Sequence, residues 1–354
     1  MDRAALESLV LGESDTLVAS DINCESGDYR RAKFAGGIFQ NVSFRNADLR
    51  GADFREAQLL NCDFSNAMFA DVNLRLADLV DCNLVGASMH RASLEQANMI
   101  RSCFRKTDVA GASVSNATFF QCELQTAQFS VSPSGFVTFA ESDLSGATLG
   151  GAELSRPNFL SPRVEGLDFR GATLESPFFR EVDFTEYDFR DSTITMPQFH
   201  ESVLDCALFQ GLDLHQVGLV NTSAVAAQFG GCNLVNANLV GADLQNANLA
   251  GAKLDQALLI GARLDGANIS NASIVQARLT SASCIGTNFR SSDLTYVDFS
   301  HARLVRADLS DCKLYEANLH EIDDAEAKWG GANRAEARGS NGERARAEAF
   351  DRYE

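Results

Sequence analysis

The sequence predicts an all-β solenoid, a chain wound in stacked layers around a narrow core. Three observations predict it. Every position numbered 5n+4 from Phe34 to Leu319 is Leu, Phe, Ile, Val or Met, except Ser134, Ala224 and Cys284. The position two residues earlier is small: Ala47, Ala52, Ala57, Cys62, Ala67, then Ala237 to Ala282 without a break. Like residues also recur 20 apart, as in Phe119, Phe139, Phe159, Phe179 and Phe199, or Pro157, Pro177 and Pro197. Helices and strands do not repeat every five residues. A fixed longer period is the mark of a repeat architecture.

Composition narrows the function. The 354 residues carry a net charge of −18 at pH 7. That balance argues against generic nucleic-acid binding, which needs Lys and Arg on phosphates. It favours solubility or a basic partner. The longest apolar stretch near the start, Leu9–Leu11, is flanked by acids and is far too short for a membrane span. A cytoplasmic protein with no membrane partner is expected. None of the nine Cys forms a CxxC pair, so no metal or redox site is suggested.

The two rows explain each other. A large and a small residue alternating inside a narrow tube fill it without voids, and each buried Leu or Phe contributes roughly 1.5–3 kcal/mol. Asp, Asn, Ser or Thr stands between the rows, as in Ala47-Asp48-Leu49 and Ala247-Asn248-Leu249. The A(D/N)LxX pattern, clearest in CNLVNANLVGADLQNANLAGAKL over Cys232–Leu254, resembles the pentapeptide-repeat family over most of the chain. The resemblance implies a right-handed quadrilateral parallel β-helix, with four pentapeptides per square coil. The 20-residue period supports that coil independently. With coils ~4.8 Å apart, about 14 of them are expected over residues 30–322.

The other segments follow in order. Residues 1–29 read as an N-terminal cap, with a short helix over 3–10 laid on the first coil. Ser130–Val137 loses the pattern but not the length, so an irregular corner exposing Phe136 is expected. Pro157, Pro177 and Pro197 donate no N–H, so lost inter-coil hydrogen bonds are expected there. Leu167, Tyr187 and Leu212 are oversized for the small row and predict local widening. Residues 323–354 read as a C-terminal cap and a flexible or helical tail, with Trp329 as a lid.

Chemistry is hard to find. His90, His200, His215, His301 and His320 stand near no cluster with metal spacing. There is no phosphate loop and no dinucleotide fingerprint. Many glycines fall two residues after the central position, where turns want them. The five Cys at 62, 82, 122, 232 and 312 occupy the small row, where Cys acts as a compact apolar residue. The chain is expected to be no enzyme, with no cofactor, no metal and no catalytic residues.

Function should then lie where one face differs from the rest. The residue after the central one is mostly polar or small on three faces. On the fourth it reads Leu60, Val80, Ile100, Phe120, Ala140, Leu160, Arg180, His200, Val220, Val240 and Ile260. An exposed apolar ridge points to a partner. β-branched residues also suit a flat β surface, but the other three faces do not share the preference. A second departure is acidic, at Glu123, Asp143, Glu165, Glu181, Asp183, Glu186, Asp188 and Asp205, with Arg170, Arg180 and Arg190 interspersed.

Two readings follow. The first is a non-enzymatic scaffold or adaptor that binds other proteins, or a second copy of itself, through the ridge. Long repeat proteins of this look resemble those encoded beside bacterial type VI secretion components, which implies a secretion accessory. The second rests on the family's fluoroquinolone-resistance members, which imitate duplex DNA and bind DNA gyrase. That resemblance implies a DNA mimic that protects or inhibits a type II topoisomerase. The interspersed Arg residues and the absence of insertions from 34 to 319 favour the first reading.

Overall fold

One repeat shows why the chain coils. In the computed structural model, which describes residues 6, 10–11 and 16–351, all five N–H groups of Ala47–Gly51 are used. Ala47 closes a turn onto the Phe44 carbonyl (2.9 Å), Asp48 reaches back one coil to Gly27 (2.9 Å), and Leu49 and Gly51 reach forward to Met68 and Ala70 (2.9 Å each). The fifth donor, Arg50, points outward and is held by Asp48 Oδ1 at 3.3 Å. The same capping recurs from Asp63 to Ser65 and from Asn248 to Ala250. Asp and Asn are therefore the repeat's own answer to a spare backbone donor.

The corner residue carries the strain. From Asp21 to Gly331 the 5n+1 position nearly always has a left-handed φ, held by Gly at Gly51 and Gly241 but also by Leu76 (61°) and Tyr296 (59°). Non-glycine residues in that region cost roughly 1–2 kcal/mol each. The inter-coil bonds hold the corner in place regardless.

The backbone groups into two compact units, Met1–Val182 with Asp191–Thr193, and Asp183–Arg190 with Ile194–Glu354. In the first, strands stack in parallel register on one face: β2 (Thr16–Ser20), β3 (Ile38–Gln40), β4 (Gln58–Leu60), β5 (Asp78–Val80), β6 (Asn98–Ile100), β7 (Thr118–Phe120), β9 (Thr138–Ala140), β11 (Asn158–Leu160) and β13 (Phe178–Arg180). A second ladder joins β8 (Ser134–Gly135), β10 (Glu153–Ser155) and β12 (Thr173–Glu175). Between the ladders, and through the second unit, single parallel bridges 20 residues apart do the same work. The strand ladder thus accounts for about 9 turns, fewer than the about 14 coils the period predicts. The expected helix over 3–10 lies largely outside the described residues, and β1 (Val10–Leu11) is a strand antiparallel to β2.

The core is the two inward rows. Phe34, Phe39, Phe44, Phe54 and Phe64 are wholly buried in the first unit, with Phe44 and Phe64 stacked at 5.3 Å. Phe119, Phe139, Phe159 and Phe179 form a second stack, at 5.2, 5.3 and 4.9 Å. In the second unit Phe189, Phe209 and Phe229 stack at 4.7 and 4.9 Å before Leu takes over. Such pairs add to simple burial. Leu167 is buried, but Tyr187 and Leu212 are only half-buried, so these two large side chains slide partly outward. Tyr187 packs its ring on Phe189 at 4.6 Å. Phe136 is 51% exposed, beneath Arg156, as the irregular corner predicts.

The prolines do not open the sheet. Pro157, Pro162, Pro177 and Pro197 stand at the 5n+2 position after a strand, where the corner is an open bend and not a tight turn. At the equivalent Cys82 and Cys122 the N–H goes to the hydroxyls of Ser102 and Ser142 (3.0 Å each) and not to a backbone carbonyl. Proline there gives up no ladder bond, and the carbonyls of Pro157 and Pro197 still accept from Phe178 and Gly218 (2.9 Å each).

In the second unit the inward row ends in charge. Asp324, Trp329 and Arg334 take 5n+4 positions, with Arg334 paired to Asp324 at 2.7 Å and its guanidinium 4.4 Å above the half-buried Trp329 ring. A turn of 3-10 helix (Arg334–Glu336) and a C-terminal helix (Gly342–Asp351) follow.

Candidate interaction face

The ridge residues close each strand of the first unit. Cα partners run Leu60 to Val80, Ile100, Phe120, Ala140, Leu160 and Arg180. The period-two alternation turns the preceding residue inward and these outward. All are half-buried except Arg180, which is exposed. In the second unit Val220, Val240 and Ile260 are likewise half-buried, and the carbonyls of Val240, Ile260 and Thr280 accept from the N–H groups of Asn221, Gly241 and Gly261 one coil earlier (3.1, 3.0 and 3.0 Å).

That second-unit column continues as Thr280, Ser300 and His320, and its last two members are 1% exposed. The C-terminal helix reaches the same coils. His320 Nδ1 accepts from the Asn341 N–H (3.1 Å), and Nε2 of both His320 and His301 meets Glu348 Oε2 (3.1 and 3.0 Å). Glu348 Oε1 is held by Arg344 at 2.6 Å, and that bond draws the carboxylate below its ordinary range. The chain's own helix therefore sits on the column that is left open further up. Linear reading missed this group, because His301 and His320 stand 19 apart with no shared motif and Glu348 lies in the tail.

Most of the acidic residues form small groups with a hydrogen-bond or ion-pair partner, while Glu165 and Glu186 stand exposed. In the first unit Glu123 and Asp143 are bridged neighbours, with Cys103 and Arg163 on either side. Arg105 lies 3.3 Å from Glu123. Burial raises the Asp143 carboxyl, but hydrogen bonds from Ser145 and Gln125 outweigh it and leave it below the usual range. Glu165 is exposed, and Glu181 accepts from Ser161 (2.7 Å) and pairs with Arg180 (3.3 Å). In the second unit Asp183 caps Thr185, Asp188 pairs with Arg190 at 2.7 Å, Glu186 is exposed, and Asp205 accepts from Ser223 and Val225. The Arg190 guanidinium holds Asp188 below the ordinary carboxylate range.

Two further features bear on chemistry. A shallow surface cleft of about 710 Å³, lined by Asp28, Arg30, Arg31, Arg50, Gly51 and Asp71, opens where Gly51 interrupts a column of longer side chains. Arg30 and Arg50 are already paired there with Asp28 and Asp48. The small-row cysteines are buried, and desolvation pushes the Cys122 thiol up to about 12 and Cys232 and Cys312 to about 11. Thiols so disfavoured as thiolates are poor nucleophiles and ligands. Among the described residues no helix is long and apolar enough to cross a membrane.

Comparison with known proteins agrees with this architecture. A family model described as pentapeptide repeats matches in 8 copies, over residues 30–66, 73–109, 225–259, 257–295 and 292–323. No curated protein gives a match. Among solved structures, trypsin-treated QnrB1, a plasmid-mediated fluoroquinolone resistance protein, is 20% identical; the match covers 57% of this chain and 91% of that one, with a TM-score of 0.44. HetL, a pentapeptide repeat protein involved in heterocyst differentiation regulation in Nostoc sp. strain PCC 7120, is 19% identical over 86% of this chain and 90% of its own, with a TM-score of 0.19. A thylakoid-lumen repeat protein from Arabidopsis thaliana is 27% identical over 28% of this chain and 65% of its own, with a TM-score of 0.20.

Proposed function

Because the chain belongs to the pentapeptide-repeat family, we propose that it is a non-enzymatic scaffold that docks partners on the apolar column of each unit. The observation that carries this reading is the column's double character. In the first unit it is apolar and open at Leu60 to Leu160, and in the second at Val220 to Ile260. Where the C-terminal helix reaches it, at Ser300 and His320, it is buried. A face that already accepts a helix of its own chain suits a helix or strand face of another protein. Between Gly218 and Gly261 the face and its corners (Asn221, Asn236, Asn238, Gly241, Gln256, Leu258) hold no charged residue, in a chain of net charge −18. Depletion of charge is the usual signature of an interface centre.

The DNA-mimic reading draws less support. A mimic needs unneutralised carboxylates at phosphate-like spacing. Here Asp48, Asp53, Asp168 and Asp188 are each bonded by the Arg two residues on, at 2.6–2.7 Å.

The test is the pair Val240→Arg with Ile100→Arg. Both side chains point out, so circular dichroism and thermal unfolding should be unchanged. Association, read by sedimentation velocity and by affinity capture with mass spectrometry, should fall at least tenfold. Topoisomerase subunits captured equally by wild type and variant would overturn the scaffold reading in favour of the mimic.

A further inference from the structure

The cluster at the C-terminal helix has the composition of a metal site. His301, His320 and Glu348 bring two imidazole nitrogens and one carboxylate oxygen within 4.8 Å of one another. Both Nε2 atoms lie 3.0–3.1 Å from the same oxygen, Glu348 Oε2. Around a tetrahedral zinc ion with bonds of ~2.0–2.1 Å, neighbouring ligand atoms stand ~3.3–3.4 Å apart. Opening these contacts by a few tenths of an ångström therefore admits an ion. We propose that His301 Nε2, His320 Nε2 and Glu348 Oε2 form a binding site for a first-row divalent transition ion of the zinc class.

Each neighbour bears on the chemistry. Arg344 holds Glu348 Oε1 at 2.6 Å, so the carboxylate offers one oxygen. The guanidinium also balances that carboxylate's charge, so affinity rests mainly on the two imidazoles, the donors that suit zinc, copper and nickel better than magnesium or calcium. The His320 side chain is 2% exposed, whereas those of His301 and Glu348 are 24% and 31% exposed. One side of the group is thus closed by protein and the other is open to solvent, which leaves a fourth position for water.

The Asn341 amide fixes the proton. It points at His320 Nδ1, so the ring proton sits on Nε2, facing Glu348. An ion takes that proton's place. The Nε2–H bond breaks, a metal–nitrogen bond forms with the same electron pair, and the proton passes to Nδ1, so the bound ring stays neutral. A proton on Nδ1 would oppose the Asn341 N–H. Turning the Ser340–Asn341 peptide presents the Ser340 carbonyl instead, the second-shell acceptor that metal-bound histidines favour. That turn works against the contacts that hold this segment, Ser340 Oγ accepting from the Glu321 N–H and Asn341 Oδ1 capping Glu343 and Arg344 (3.0 Å each), so binding carries the cost of loosening them. Binding also ties the body of the unit to its helix, since two ligands come from the coils and one from the tail.

The experiment is calorimetric titration of the full chain, stripped with chelator, with zinc chloride in two buffers of different ionisation enthalpy. Cobalt absorption serves as a second probe. One ion per chain is expected in either buffer, with amide-exchange protection gained over residues 342–348. His301→Gln and Glu348→Gln should each weaken binding at least tenfold while far-ultraviolet circular dichroism stays the same. Cobalt should show nitrogen and oxygen ligation without the thiolate charge-transfer band. The proposal fails if zinc does not bind, if both variants bind like wild type, or if cobalt reports thiolate ligands such as Cys206.

Discussion

Corresponding columns are built in two ways in the two units, and the corner at the inward 5n+2 residue is where they differ. In the first unit that residue is Val42, Cys62, Cys82, Ser102, Cys122, Ser142 and Pro162, and the chain before each is a short strand ending in an open bend. In the second, beyond the strand Gln198–His200, it is Thr222, Ala242, Ala262, Ala282 and Ala302, and each of these corners is a tight turn closed by the N–H of that residue, as from Ala242 to Leu239 (3.1 Å). Alanine leaves room for the amide to fold back on the carbonyl three residues earlier. Size alone does not set the corner, since Val72, Thr107, Leu212, Thr222, Cys232 and Cys312 all close theirs; what proline lacks is the N–H itself. Where it opens, Ser102 and Ser142 do double duty. Each hydroxyl accepts an amide from the coil before and donates to an inward carbonyl, Leu79 or Phe119. One outline thus tolerates two hydrogen-bond schemes, and only one of them tolerates proline.

Proline substitution sharpens this contrast most. Ala242→Pro should destabilise by about 2–3 kcal/mol, from a lost turn bond and a ring clash with the Leu239 carbonyl. Val42→Pro, at an open bend, should cost about 1 kcal/mol, mainly through the smaller apolar side chain. Equal costs in urea unfolding would break the two-corner account. Next in size is the outward cap, which both units share. Asn248→Ala frees the Ala250 amide and should cost about 1 kcal/mol. The smallest effect has the opposite sign. Leu76 is 41% exposed and left-handed, so Leu76→Gly should stabilise by about 0.5–1 kcal/mol, corner strain relieved less the entropy of a freer unfolded chain. Destabilisation by Leu76→Gly would mean that its side chain makes contacts that outweigh the strain.

Much of the fold was legible because burial here is one-dimensional. A row that must be Phe or Leu every fifth residue, beside a row that must be small, leaves little else to form. The 20-residue recurrence of Phe119 to Phe199 gave the coil. The proline ladder was legible as a ladder, but its meaning was not, since sequence does not say which corners leave an amide unused. Tyr187 and Leu212 escaped for a similar reason: a tube can let a large residue slide outward instead of widening. The ridge was readable as a column of letters, whereas the helix over its far end was not. That contact joins His301, His320 and Glu348 across coil and tail, and period-five arithmetic stops before residue 348.

The charged end of the inward row has a wider consequence. Parallel layers in register, with like side chains stacked, are also the geometry of a fibril, and an uncovered final layer is a template for the next molecule. At Asp324, Trp329 and Arg334 any added layer would have to bury an ion pair and the cation held over the indole, where desolvation outweighs what stacking returns. Growth by addition to that layer is therefore self-terminating, and the signal that stops it is carried by the same inward row that elsewhere keeps the coils together.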